Sequence, residues 1–114
     1  MDFLLEEVDD IKILRINNQR LDSLVSPDLK AQLLILIKEG SLIVLDLNQV
    51  KYADSSGLGA LLLGLRQARD VGAQFVLVGA QKRVKSLMQI AQLENILLNF
   101  DDENQALEHL NQSR

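Results

Sequence analysis

Three times along the chain a short aliphatic run gives way to a stretch with helical spacing, and this alternation limits the fold more than any other feature. Ser41-Leu42-Ile43-Val44-Leu45-Asp46-Leu47, Gln74-Phe75-Val76-Leu77-Val78-Gly79 and Ile96-Leu97-Leu98-Asn99-Phe100 have the length and the aliphatic, β-branched content of buried strands. The first leads to a helix predicted over about Ser56 to Asp70, closed by Val71-Gly72, and the second to a helix over Gln81 to Ala91. The third leads to a terminal helix whose opening acids, Asp101-Asp102-Glu103, suit the positive end of a helix dipole. Strand, helix, strand in that order makes a crossover unit, and crossovers join parallel strands.

Upstream, Phe3 to Val8 and Ile11 to Ile16 read as a hairpin turning at Val8-Asp9-Asp10. After the polar Asn17-Asn18-Gln19-Arg20 and Leu21-Asp22-Ser23, the run Ser26-Pro27-Asp28 supplies a helix cap, a proline at the first helical position and an early acid. It predicts a helix from Pro27 to about Lys38 with a core stripe of Leu29, Leu33, Leu36 and Ile37, stopped at Gly40. Leu34 and Ile35 fall off that stripe, which predicts packing on more than one side. On the third helix Val84, Leu87, Met88 and Ala91 are expected to face inward, with Lys82, Arg83 and Lys85 in water; Leu107 and Leu110 pack the last helix and His109 faces solvent. The order β-β-α-β-α-β-α-β-α predicts an α/β fold bordering on α+β, a mixed four- to five-stranded sheet with about four helices.

A chain of 114 residues with 47% hydrophobic content suffices for one domain, 1–114, that buries roughly two-thirds of its unfolded surface. One proline, no low-complexity linker and no internal repeat argue against a second. A net charge of −4 leaves no electrostatic footprint for nucleic acid. Without cysteine there is neither a disulfide framework nor a thiolate metal site. No apolar run approaches the ~20 residues that span a bilayer, and Met1-Asp2-Phe3 is acidic where a signal peptide is basic. A cytoplasmic protein without direct membrane insertion is expected.

The chemistry concentrates in Val50-Lys51-Tyr52-Ala53-Asp54-Ser55-Ser56-Gly57-Leu58-Gly59, where strand turns into helix. Asp54, Ser55 and Ser56 fall at a helix N-terminus, where unpaired N–H groups and the dipole would stabilise an oxyanion on either serine. Bland roles compete: Ser55 or Asp54 as an ordinary helix cap, Asp22 as the start of a turn. At 100° per residue Leu58, Leu61, Leu62 and Leu65 share one face of the second helix, and Ser56, Ala60, Leu63 and Gln67 the opposite one. Ala60 and Leu63 beside Gly59 therefore make a small patch for docking a partner, with Leu58 a further candidate in the same stretch and cover by another part of the chain as the competing role for Leu63. Gly57-x-Gly59 is too short for a dinucleotide fingerprint, and no phosphate-binding Gly-x-x-x-x-Gly-Lys-Ser/Thr loop occurs. No Gly-x-Ser-x-Gly elbow or clustered set of metal ligands is present, so no catalytic residue, metal or cofactor is expected.

Asp54-Ser55-Ser56-Gly57-Leu58-Gly59, preceded by Ile43-Val44-Leu45-Asp46-Leu47, resembles the motif of bacterial anti-sigma factor antagonists built on the sulfate-transporter and anti-sigma-antagonist (STAS) domain. Leu21-Asp22, Gly72-Ala73-Gln74-Phe75-Val76-Leu77-Val78 and Val84-Lys85-Ser86-Leu87 with Leu93 extend the resemblance over nearly the whole chain. The resemblance implies a phosphorylatable Ser55, surrounded by Asp22, Asp54, Ser56 and Gly57. It implies as partners an anti-sigma factor that is itself a serine kinase, bound when Ser55 is unmodified, and a protein phosphatase that resets the switch. A weak homodimer is compatible with it. A second reading is a non-switching STAS scaffold subunit of a stress-signalling or lipid-transport assembly, and nucleotide binding is a third.

Overall fold

The computed structural model describes residues 2–113. Its elements are β1 (Phe3–Val8), β2 (Ile11–Ile16), β3 (Arg20–Leu21), α1 (Ser26–Leu36), β4 (Leu42–Asp46), β5 (Tyr52–Ala53), α2 (Ser55–Val71), β6 (Gln74–Val78), α3 (Lys82–Ile90), β7 (Asn99–Phe100) and α4 (Glu103–Gln112). The main sheet has the order β1-β2-β4-β6-β7. Only β1 runs antiparallel to its neighbour; β2, β4, β6 and β7 are parallel, as the crossovers require. The mixed five-stranded α/β sheet with four helices agrees with the sequence expectation.

Alternation along each strand divides the core between the two sheet faces. Leu14, Ile16, Ile43, Leu45, Phe75 and Leu77 meet α1, α2 and α3 residues on one side. Ile11, Ile13, Val44, Val76 and Val78 meet Ala106 and Leu110 of α4 on the other. Arg15 lies on the α4 side. Its guanidinium ties four elements together, 2.6 Å from Glu6, 2.7 Å from Asp46 and 2.8 Å from Glu103. The hydrogen bond to Glu6 is the largest cause holding its pKa above the ordinary arginine value; burial opposes it, and Asp46 and Glu103 add to it.

Several local expectations change. Ser26 does not cap α1: its hydroxyl donates to the Asp22 carbonyl at 2.6 Å, and Val25 takes the cap position. The helix ends at Leu36 rather than Lys38, because Ser41 Oγ bonds the Leu36 carbonyl at 3.1 Å and accepts the Lys38 N–H at 3.0 Å. Leu34 and Ile35 are 50% and 62% exposed, not packed on a second side, since α1 buries Leu29, Leu33 and Leu36 against the core and α2 and turns these two away from it. Ala91 is exposed, and Leu87 is only half-buried. The last strand shrinks to Asn99–Phe100. His109 is half-covered, its ring centroid 5.1 Å from that of Phe100.

The sequence pattern does not signal β3 and β5, two-residue strands that pair in parallel outside the main sheet. They carry the chain into and out of the site.

Candidate functional site

Pairing of Leu21 with Ala53 sets Asp22 and Asp54 next in line on adjacent chains. The Leu21 carbonyl accepts the Asp54 N–H at 3.3 Å, continuing the ladder to the first residue before α2. Asp54 is extended (φ −108°, ψ −170°), and its Oδ1 accepts the Gly57 N–H at 3.0 Å while its carbonyl accepts that of Leu58 at 3.0 Å. It is therefore the N-cap of α2. The N–H groups of Ser55 and Ser56 remain at the open end of the helix, where an anion is favoured. Ser55 is exposed and Ser56 half-buried.

Asp22 holds a turn. One carboxylate oxygen accepts the Leu24 N–H at 3.0 Å, and its carbonyl accepts the N–H groups of Val25 and Ser26 at 3.1 and 2.8 Å. Both aspartates thus perform the local role that serves the backbone, Asp22 after β3 and Asp54 after β5. Leu24, at the tip of that turn, is 84% exposed.

Gly57 is fixed by close approach. A Cβ there would collide with the Leu21 carbonyl oxygen and lie 2.9 Å from Leu21 Cγ. Further along, a Cβ on Gly64 would lie 2.7 Å from the Phe75 ring and 3.2 Å from Leu33 Cδ1. The buried stripe of α2 is accordingly Gly57, Ala60, Leu61, Gly64, Leu65 and Ala68. Relative to the face expected from the leucines it is turned by about 80°, at 100° per residue. Ala60, expected on the docking face, is fully buried at 0% exposure, because small residues let α2 seat closely on α1 and the sheet. Leu58 and Leu62 flank the stripe and pack partly on the core. Gly59 and Leu63 are half-exposed, and a Cβ on Gly59 would touch nothing within 4 Å. The outward surface near Ser55 therefore includes Gly59 and Leu63 but not Ala60.

Residues 2–106 match the family model of the STAS domain. The chain is 32% identical over 78 residues, 68% of each chain, to the anti-sigma-B factor antagonist of Listeria monocytogenes. The chain belongs to the STAS-domain family of anti-sigma factor antagonists. An anti-sigma-factor antagonist (STAS) domain protein from Planctomyces limnophilus superposes with a TM-score of 0.88 at 15% identity, covering 97% of this chain and 99% of that one. The anti-sigma factor antagonist SpoIIAA in its unphosphorylated form gives 0.80 at 22% identity and 97% coverage of both chains. The phosphorylated form of the Bacillus SpoIIAA gives 0.73 at 21% identity, covering 96% of this chain and 99% of that one. These structures speak to the fold; the family model and the Listeria relative establish the family. Among the described residues no helix of this STAS domain is long and apolar enough to cross a membrane.

Proposed function

We propose that this protein is a cytoplasmic anti-sigma factor antagonist that binds an anti-sigma factor serine kinase through the start of α2 and is switched off by phosphorylation at Ser55. A protein phosphatase resets it, and Ser55 is a substrate rather than a catalytic group. The observation that carries this reading is the exposed Ser55 hydroxyl at a helix N-terminus whose cap, Asp54, already satisfies Gly57 and leaves the Ser55 and Ser56 N–H groups open. Those donors favour a phosphate without any change of fold. That a relative is known in both unphosphorylated and phosphorylated forms supports the proposal.

The switch is electrostatic and steric. A phosphate adds about −1.5 to −2 of charge at one surface point, taking the protein from −4 to roughly −6. Asp22 and Asp54 already make that point acidic, so the modified site repels an acidic partner group and resists desolvation. Gly59 and Leu63 supply the adjoining contact.

Incubation with the cognate kinase and ATP, followed by mass-spectrometric mapping, tests the assignment: label on Ser55 is expected, and label on another residue refutes the site. Ser55→Ala should bind the kinase constitutively. Undiminished binding by Ser55→Asp would refute the switch in favour of a scaffold that does not respond to modification.

A further inference from the structure

Between α3 and β5 runs an open groove of about 560 Å³, beginning two residues before Ser55. Tyr52, Ala53, Leu87 and Ile90 give it an apolar lining, with Ser86 among them. Ile90, the last residue of α3, is 81% exposed, and Tyr52 is 39% exposed. Arg83, Leu87 and Ile90 recur at helical spacing, so one flank of α3 faces this opening while Val84 and Met88 face the core.

The rim is cationic on a protein whose net charge is −4. Lys82 and Arg83 line the groove, and among the described residues neither has an ion-pair partner. The Arg20 guanidinium sits 5.5 Å from the centroid of the Tyr52 ring. Among the described residues no acid lines the groove. The placement also opposes local helix chemistry. Lys82 and Arg83 occupy the first turn of α3, which has no acidic residue and no side-chain cap, so two cations meet the positive end of the dipole. Local choices that work against a fold's own stability concentrate at functional or strained sites.

We propose that this groove docks an acidic, amphipathic segment of a partner protein, an aliphatic or aromatic anchor seated on Tyr52, Leu87 and Ile90 and its carboxylates meeting Lys82 and Arg83. An acidic segment supplies to the first turn of α3 the negative charge that its own sequence withholds. The anchors and cations of this contact all lie outside α2.

The experiment selects a library of random dodecapeptides against the immobilised protein, then follows an enriched peptide by amide chemical-shift perturbation. Enriched sequences should carry Asp or Glu around a large apolar residue, and shifts should centre on Tyr52, Ala53, Lys82, Arg83, Leu87 and Ile90. Lys82→Glu with Arg83→Glu should weaken binding by roughly tenfold or more, and added salt should weaken it in the unaltered protein. Lys82→Gln with Arg83→Gln gives the same direction should the reversal variant fold poorly. Enrichment of neutral or basic peptides, shifts centred elsewhere, no enrichment, or capture by phosphatidylglycerol vesicles without a peptide response would each overturn the proposal. None of these outcomes bears on whether Ser55 is phosphorylated.

Discussion

Gly57 and Gly59 stand two residues apart on α2, and alanine should act on them with opposite sign. In a helix interior glycine is less favourable than alanine by about 1 kcal/mol, so either substitution starts with that gain. At Gly59 nothing lies within 4 Å of the new methyl group, and the gain should survive as about 0.5–1 kcal/mol. At Gly57 the methyl meets the Leu21 carbonyl oxygen, and this is backbone that no rotamer change can move aside. Relief requires separating the start of α2 from β3, which strains the 3.3 Å hydrogen bond from the Asp54 N–H to that same oxygen. Overpacking of this kind costs about 1–3 kcal/mol and a lost hydrogen bond about 1 more, so the net effect is a destabilisation of about 1–3 kcal/mol.

Urea unfolding of both variants, with the slope checked for constancy, measures the difference directly. At about 4 °C per kcal/mol for a chain of this size, Gly59→Ala should raise Tm by about 2–4 °C and Gly57→Ala lower it by about 4–12 °C. Gly64→Ala should fall between them, since what its Cβ meets is the Phe75 ring and a Leu33 methyl, side-chain atoms with some room to yield. Equal stabilisation by Gly57→Ala and Gly59→Ala would refute the claim that close contact with Leu21 fixes the position of the site.

The corrected orientation of α2 gives a second test. Ala60→Leu should destabilise by about 1–3 kcal/mol through overpacking, whereas Leu63→Ser should change stability by no more than about 0.5 kcal/mol in thermal melts and act on partner binding instead. At the opposite sheet face, Arg15→Ala removes the cation that meets Asp46, which is 8% exposed, and should cost about 1–3 kcal/mol in urea unfolding. Glu103→Gln, at the more exposed arm of the same cluster, should cost less than about 1 kcal/mol.

The sheet was legible because its strands are aliphatic runs separated by helices of ordinary length, and parallel pairing follows from that connectivity without further information. The site was legible in its residues and less so in its geometry. Five leucines overshadow Gly57, Ala60, Gly64 and Ala68 in the hydrophobic pattern of α2, yet close approach to α1 and Phe75 favours the small residues. The readable signal is their spacing of three or four residues, a stripe too narrow to bury much area but shaped for contact. The pairing of β3 with β5 had no such signal: two residues carry no period, and only the tertiary placement of Leu21 against Ala53 brings Asp22 beside Asp54.

That pairing leaves Asp54 with two separable properties, a capping oxygen and a negative charge beside Ser55. Its Oδ1 bond to the Gly57 N–H accounts for its position without recourse to charge. Asparagine caps a helix about as well as aspartate, so Asp54→Asn should hold stability within about 0.5 kcal/mol, the residue being the lost interaction with the dipole. Asp54→Ala should cost about 1 kcal/mol and let the first turn of α2 fray around Ser55. If the aspartate serves the site by capping, kinase labelling of Ser55 should persist in Asp54→Asn and fall in Asp54→Ala. Labelling that falls equally in both, with Asp54→Asn as stable as the unaltered chain, would mean that the carboxylate charge itself positions the hydroxyl, and capping alone would no longer explain why an aspartate stands there.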